Sequence, residues 1–141
     1  MKQILSVNDL KQIEEIESMT FGKNSYNLSE LEYFNKNNLY NFYLIKENEN
    51  IASYAITQET IDFIEIIKIT TVANFRNKKY GTILLNRIKE ESEKDIYIEV
   101  SDRDNTSEFY LKNKFTKIGF RRKYYIDSSN CTVMVFKKKN I

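Results

Sequence analysis

The strongest constraint on the fold is one strand-to-helix-to-strand succession in the middle of the chain. From Ile61 to Val72 the sequence is dominated by β-branched residues, which suit a pleated, half-buried strand. Tyr80, Leu84 and Ile88 then recur at helical spacing, and a short apolar strand follows from Ile96 to Val100. A strand, a helix and a second strand in this order predict a crossover unit in which the two strands run parallel.

The flanking segments extend this unit into one sheet. Leu10, Ile13, Ile16 and Glu17 lie at helical spacing over residues 8–20, after the capping candidates Ser6 and Asn8; a second helix is predicted from Asn27 or Ser29 through Leu31 and Phe34. Tyr40 to Lys46 and Ile51 to Thr57 read as strands of a hairpin turned by Glu47-Asn48-Glu49-Asn50. Asn105 with Glu108 has the spacing of a capping box, predicting a short helix that ends near Asn113. Phe115 to Tyr125 and Thr132 to Phe136 read as the last two strands, and Lys2 to Ser6 as an additional first one. The expectation is an α/β (α+β) fold with a single mixed central sheet of six or seven strands and about four helices on its faces. The chain has no proline, no Gly/Ser-rich stretch and no repeat, so residues 1–141 are expected to form a single domain.

Composition enters mainly by exclusion. There is no histidine and a single cysteine, Cys131, so Ser-His and Cys-His nucleophile pairs, His-based zinc sites and an internal disulfide are all excluded. Acid–base chemistry is left to carboxylates, tyrosines, lysines or the lone thiol. Twenty-two basic against 20 acidic residues give a net charge of +2, no basis for a nucleic-acid partner. The run Lys137-Lys138-Lys139 reads as a solvated tail. No apolar run approaches the ~20 residues that span a bilayer and no secretory signal pattern is present, so the expectation is a cytoplasmic protein with no membrane partner.

Three places can carry chemistry. The segment Phe75-Arg76-Asn77-Lys78-Lys79-Tyr80-Gly81-Thr82 joins the longest strand to its helix, where free N–H groups and the helix dipole suit a phosphate. A ligand-free basic turn is an equally open reading. In Ile96-Tyr97-Ile98-Glu99-Val100, alternation puts Glu99 on a face with Tyr97, either as a base with a raised pKa or as an edge residue in water. Tyr110, within Phe109-Tyr110-Leu111, reads from its position as a core aromatic with its hydroxyl satisfied.

Taken together, these segments resemble the GNAT superfamily of acetyltransferases, and within it the N-terminal acetyltransferases of the bacterial ribosomal-protein alanine type. The resemblance covers most of the chain and is strongest from Ser53 to Phe136. Its motifs look like Ile69-Thr70-Thr71 at a strand end, Arg76-Asn77-Lys78-Lys79-Tyr80-Gly81 as the pyrophosphate loop, Glu99-Val100, and Tyr110-Leu111-Lys112-Asn113-Lys114-Phe115. Lysines at 79 and 114 stand where the family has glycines; the change at 79 reads as tolerated, since a lysine with ordinary helical φ/ψ could still present its N–H.

The resemblance implies that acetyl-CoA is bound by Ile69, Thr70, Thr71, Arg76, Asn77, Lys78, Lys79, Tyr80, Gly81, Thr82 and Asn105, with no metal. It assigns Glu99 as base and Tyr110 as acid, and Tyr124 and Tyr125 as the lining of an acceptor-peptide site. The implied acceptor is the N-terminal amine of a protein, such as a ribosomal protein. With a pKa near ~8 that amine is mostly protonated at neutral pH and must lose a proton before it attacks. A small amine or a lysine side chain is the alternative acceptor, drawn to the acidic Glu59, Asp62 and Glu65; a CoA-binding module without turnover is the third. All versions expect the phosphate-binding turn and Glu99 on the same side of the sheet.

Overall fold

A computed structural model describes residues 2–138. Four helices and six strands follow one another as α1 (Val7–Phe21), α2 (Leu28–Lys36), β1 (Tyr40–Glu47), β2 (Asn50–Glu59), β3 (Phe63–Thr71), α3 (Tyr80–Glu91), β4 (Asp95–Ser101), α4 (Ser107–Lys112), β5 (Thr116–Arg121) and β6 (Cys131–Phe136). The strands form one mixed sheet in the order β1-β2-β3-β4-β6-β5, and only β3 and β4 run parallel among these neighbours. Helix starts follow local chemistry. Ser6 caps α1 by accepting from the Asp9 N–H, and Asn27 and Glu30 form a reciprocal capping box on α2.

Three expectations change. Residues 2–6 form no strand; Leu5 N–H instead donates to Asn35 Oδ1 at 2.9 Å, and Lys2 Nζ donates to the carbonyls of Phe34, Asn37 and Tyr40. Asn35 Nδ2 in turn donates to the Leu5 carbonyl, so an α2 side chain satisfies Leu5 without a ladder. The strand expected to reach Tyr125 stops at Arg121, because the chain turns through left-handed residues at Lys123 (φ 51°) and Ser128 (φ 68°). In the basic run, Lys137 pairs with Asp95 at 3.4 Å and Lys138 N–H donates to the same carboxylate, so these two are tied down. Lys139 lies outside the described residues.

Each face of the sheet carries its own apolar layer. Helix α3 buries Leu84, Leu85 and Ile88 against Ile66, Ile96, Ile98 and Val100, and Tyr110 of α4 joins them. Helices α1 and α2 bury Leu10, Ile13, Leu31 and Phe34 against Tyr54 and Ile56 on the other face.

The sheet opens in the middle. Strand β3 pairs with β4 only from Phe63 opposite Asp95 to Ile66 opposite Ile98, although both strands continue, to Thr71 and Ser101. The cause lies on the other edge of β3. Its ladder with β2 places Ile56 opposite Lys68 and Thr57 opposite Ile66, leaving Ile67 without a partner. A bulge of this kind bends its strand and increases the local twist, and here it falls directly after Ile66, the last residue that β3 pairs with β4. Residues 68–71 remain paired with β2 and residues 99–101 with β6, so a gap separates the two strand ends.

Candidate active site

Glu99 is the first residue of β4 beyond its pairing with β3. Its neighbours Ile98 and Val100 are buried beneath α3, so alternation turns Glu99 to the α1/α2 side. There its Oε2 accepts from Arg121 Nη1 at 3.0 Å. The same guanidinium lies 5.0 Å from the Tyr124 ring centre, and Tyr124 meets Tyr125 edge-on at 5.1 Å. Burial, and then the Tyr125 hydroxyl's bond with the Cys131 thiol, hold that phenol above its usual range. Across the strand pair, burial and the charge of Glu99 raise the Glu65 carboxyl, while Arg121 opposes the rise. Tyr97, on the same face, stacks on Phe63 at 4.3 Å.

The turn expected to hold a phosphate lies between the end of β3 and α3. Arg76 Nε donates to the Thr71 carbonyl at 3.3 Å. No side chain caps α3, whose first turn contains Tyr80, Gly81 and Thr82, and its first bond to the preceding turn runs from Ile83 N–H to the Lys79 carbonyl. The N–H groups at the helix start are thereby left for an anion. Of the basic residues, Lys78 is engaged, its Nζ 2.9 Å from Glu47 Oε2, and the Tyr80 hydroxyl donates to the same oxygen. Arg76 and Lys79 supply the uncompensated charge. At Gly81 an added Cβ would lie 2.9 Å from the Phe109 ring, so the missing side chain lets α4 pack against the start of α3.

Both lysines at the family's glycine positions adopt left-handed backbone. Lys79 is the N-cap of α3 with φ 62° and ψ 24°, and Asn77 has φ 69°; ordinary helical φ/ψ at Lys79 is overturned. Lys114 has φ 73°. It closes α4, its N–H bonded to the Leu111 carbonyl while Phe115 N–H reaches the Tyr110 carbonyl, and the Tyr110 and Phe115 rings meet at 5.7 Å. This is a Schellman closure, which favours glycine because it needs a left-handed residue. The backbone geometry is kept at both sites at a cost on the order of 1–2 kcal/mol each.

Tyr110 is 5% exposed, and burial, with the Asp104 charge adding, holds its hydroxyl above the usual phenol range, so it keeps its proton. It lies on the α3 side of the sheet, whereas Glu99 faces α1 and α2. The expectation that the turn and the carboxylate share a side fails for the same reason, since α3 packs on the face opposite Glu99. What joins the two sides is the gap, because Ile69, Thr70 and Thr71 line one strand of it and Glu99 the other. Asn105, at φ 55°, lies in the β4–α4 loop away from any capping role: Thr106 is the N-cap and no side chain caps the helix.

Sequence reasoning missed the tie between α1 and β3. Glu17 is fully buried; it accepts from Tyr26 N–H at 3.0 Å and from the Tyr54 hydroxyl, and pairs with Lys68 Nζ at 3.2 Å. Lys68 Nζ also donates to the Asn24 carbonyl at 3.2 Å and lies 3.6 Å from the Phe21 ring centre. Strict alternation from Glu65 would have sent Lys68 to the α3 side, and only the bulge at Ile67 reverses it. The polar Glu17 inside an apolar helical stripe was the one visible signal.

Comparison with known proteins places this architecture. The profile of the acetyltransferase (GNAT) family matches residues 10–115. The [ribosomal protein bS18]-alanine N-acetyltransferase of Haemophilus influenzae is 27% identical over 83 residues, 56% of this chain and 57% of that protein, so the match spans little more than half of that relative. The crystal structure of the ribosomal-protein-S18-alanine N-acetyltransferase from Escherichia coli superposes with a TM-score of 0.83 at 18% identity, covering 99% of this chain and 94% of that one. The structure of Arabidopsis thaliana NAA60 in complex with acetyl-CoA gives 0.81 at 12% identity, with 96% of each chain covered. At these identities the superpositions establish the fold.

Proposed function

Because the chain belongs to the acetyltransferase (GNAT) family, a family of acyltransferases, we propose that it transfers the acetyl group of acetyl-CoA to the N-terminal amine of a protein, a ribosomal protein being the favoured acceptor. One observation carries this reading: the gap between Thr71 and Glu99 runs through the sheet, from the uncapped start of α3 to a carboxylate with an aromatic border. The residues suit the cosubstrate. The N–H groups of Tyr80, Gly81 and Thr82, with Arg76 and Lys79, would hold its diphosphate, and Asn77, Lys78 and Asn105 border that route. Acetyl-CoA supplies an activated thioester.

The chain's own groups supply the rest. Glu99, directly or through a water, takes the proton of the acceptor ammonium, and the free amine attacks the thioester carbonyl. A strand N–H near Thr71, on the edge of β3 that faces the gap, would stabilise negative charge on the carbonyl oxygen. Tyr110, protonated and on the far side of the gap, gives its proton to the departing thiolate. Tyr124 and Tyr125 border the acceptor. The preference for a protein N-terminus comes from those tyrosines and from the names of the relatives above. No helix among the described residues is long and apolar enough to cross a membrane, which agrees with a cytoplasmic acceptor.

The test is mass spectrometry of ribosomal-protein N-termini after incubation with acetyl-CoA, with Glu99→Gln in parallel. The expected result is acetylation of at least one N-terminus, slowed by 10²- to 10⁴-fold, on the order of a lost general base, in the variant. Acetylation of spermidine or free lysine and of no N-terminus would replace the acceptor class. CoA binding without transfer to any amine would leave only a binding module.

A further inference from the structure

Among the described residues Arg121 is the one cation paired with Glu99, and nothing in the chemistry above uses it. It stands at the end of the edge strand β5, opposite Cys131 in the ladder, and reaches across β6 to the Glu99 carboxylate at 3.0 Å with its guanidinium over the Tyr124 ring. Both partners are open to solvent, with side chains 52% and 30% exposed. The contact is one hydrogen bond, not a bidentate fork. An ion pair this exposed is weak and easily exchanged.

The position is the one an acceptor ammonium must take. Under the reading proposed above, on which this inference rests, the amine has to come within hydrogen-bond reach of Glu99 to lose its proton. We propose that Arg121 is a resident stand-in for the acceptor cation: it occupies the Glu99 carboxylate and the Tyr124 ring while no acceptor is bound, and the incoming ammonium displaces it. Arg121 is therefore a positioning residue. It keeps two neighbouring carboxylates, Glu65 and Glu99, from facing each other without a cation, and it sets a threshold that a neutral acceptor cannot cross by charge exchange.

The other ionisable groups on this face do not replace it. Lys68 is committed to Glu17. Tyr26, from the α1–α2 connection, is pushed up to about 12 by burial and then by Glu17, Glu30, Tyr40 and Glu65, so it stays neutral. Tyr125 is held protonated beside Cys131, and Tyr97 is stacked on Phe63.

Two measurements on Arg121→Gln and Arg121→Lys test the proposal. In steady-state kinetics with an N-terminal peptide acceptor, Arg121→Gln should lower the acceptor KM by about two- to fivefold, the scale of an exposed pair, with a smaller change in kcat. Arg121→Lys should stay at the wild-type KM. An unchanged or raised KM in Arg121→Gln overturns the proposal. The second measurement needs no turnover: the Glu65 carboxyl carbon is titrated by ¹³C NMR with and without alanine amide, whose α-ammonium serves as the probe. Its midpoint should rise in Arg121→Gln, because the opposing charge is gone, and saturating alanine amide should bring it back to wild type. A midpoint that does not move, or that the probe does not restore, overturns the proposal. If the wild-type chain acetylates no amine, the acetyltransfer reading fails, and the NMR titration still decides whether Arg121 holds the place of a cation.

Discussion

Two acid–base pairs on one face of the sheet, Glu17 with Lys68 and Glu99 with Arg121, share their chemistry and differ in nearly everything else. Glu17 is at 0% exposure and Lys68 at 10%, and the cluster ties a helix, a strand and a loop together through Tyr54, Tyr26 and the Asn24 carbonyl. Burial pulls the Lys68 ammonium below its usual range, and Glu17 opposes that shift. Glu99 and Arg121, at 30% and 52%, have one hydrogen bond and water around them. The difference teaches where rigidity and exchange are needed. A charge taken out of water must be fully partnered or it unfolds the site, whereas a charge meant to meet a substrate must keep a partner it can lose.

The largest expected effect comes from breaking the buried pair. Glu17→Ala leaves the Lys68 ammonium and the Tyr54 hydroxyl without their partner, and chemical denaturation should report a loss of about 3–5 kcal/mol. A loss below ~1 kcal/mol would mean that the two pairs are equivalent after all. The double-mutant cycle between Glu99→Gln and Arg121→Gln should give a coupling of no more than about 1 kcal/mol in stability, and a larger value would erase the contrast from the other side.

Glu65 lies between these extremes, half-buried and near Glu99, and it sharpens the comparison through pH. Its carboxyl is raised by burial first and by Glu99 second, so the folded state holds that proton more tightly than the unfolded chain does. The stability this group contributes is present below its unfolded pKa and is lost as pH rises through the raised folded value. Glu65→Gln should accordingly be more stable than wild type at neutral pH, by less than the two effects above, and the advantage should vanish in thermal melts below the ordinary carboxylate range.

How far the sequence carried can be judged from particular residues. Ser6 and Asn27 announced the starts of α1 and α2, and the parallel pairing of β3 with β4 followed from one helix between two apolar strands, because each signal is local or nearly so. The Lys2–Ser6 strand failed because the Leu5 N–H and carbonyl are satisfied by the Asn35 side chain, whose reach no periodicity reports. Asn105 and Glu108 have capping-box spacing, yet Asn105 is left-handed and Thr106 takes the cap. Lys79 and Lys114 show a different limit, since a residue type with no taste for positive φ hid two left-handed turns, the second closed by the hydrogen bonds at the end of α4. Of the candidate site, the face that Glu99 shares with Tyr97 was legible from alternation, whereas its choice as a base came from the family resemblance. Arg121 was not legible, because its partner is two strands away and more than twenty residues earlier.

The unpaired Ile67 has a consequence for how this protein tolerates change. Flattening β3 at constant length would slide Lys68 out of step and turn its ammonium into the apolar layer under α3, a penalty that no single substitution relieves. Losing one residue at this point, by contrast, would leave Lys68 against Glu17 while letting the two strands zip together to their ends. The opening is thus set by the number of residues, and apart from Lys68, which Glu17 requires, this stretch should accept exchanges of side chain more readily than a change in length.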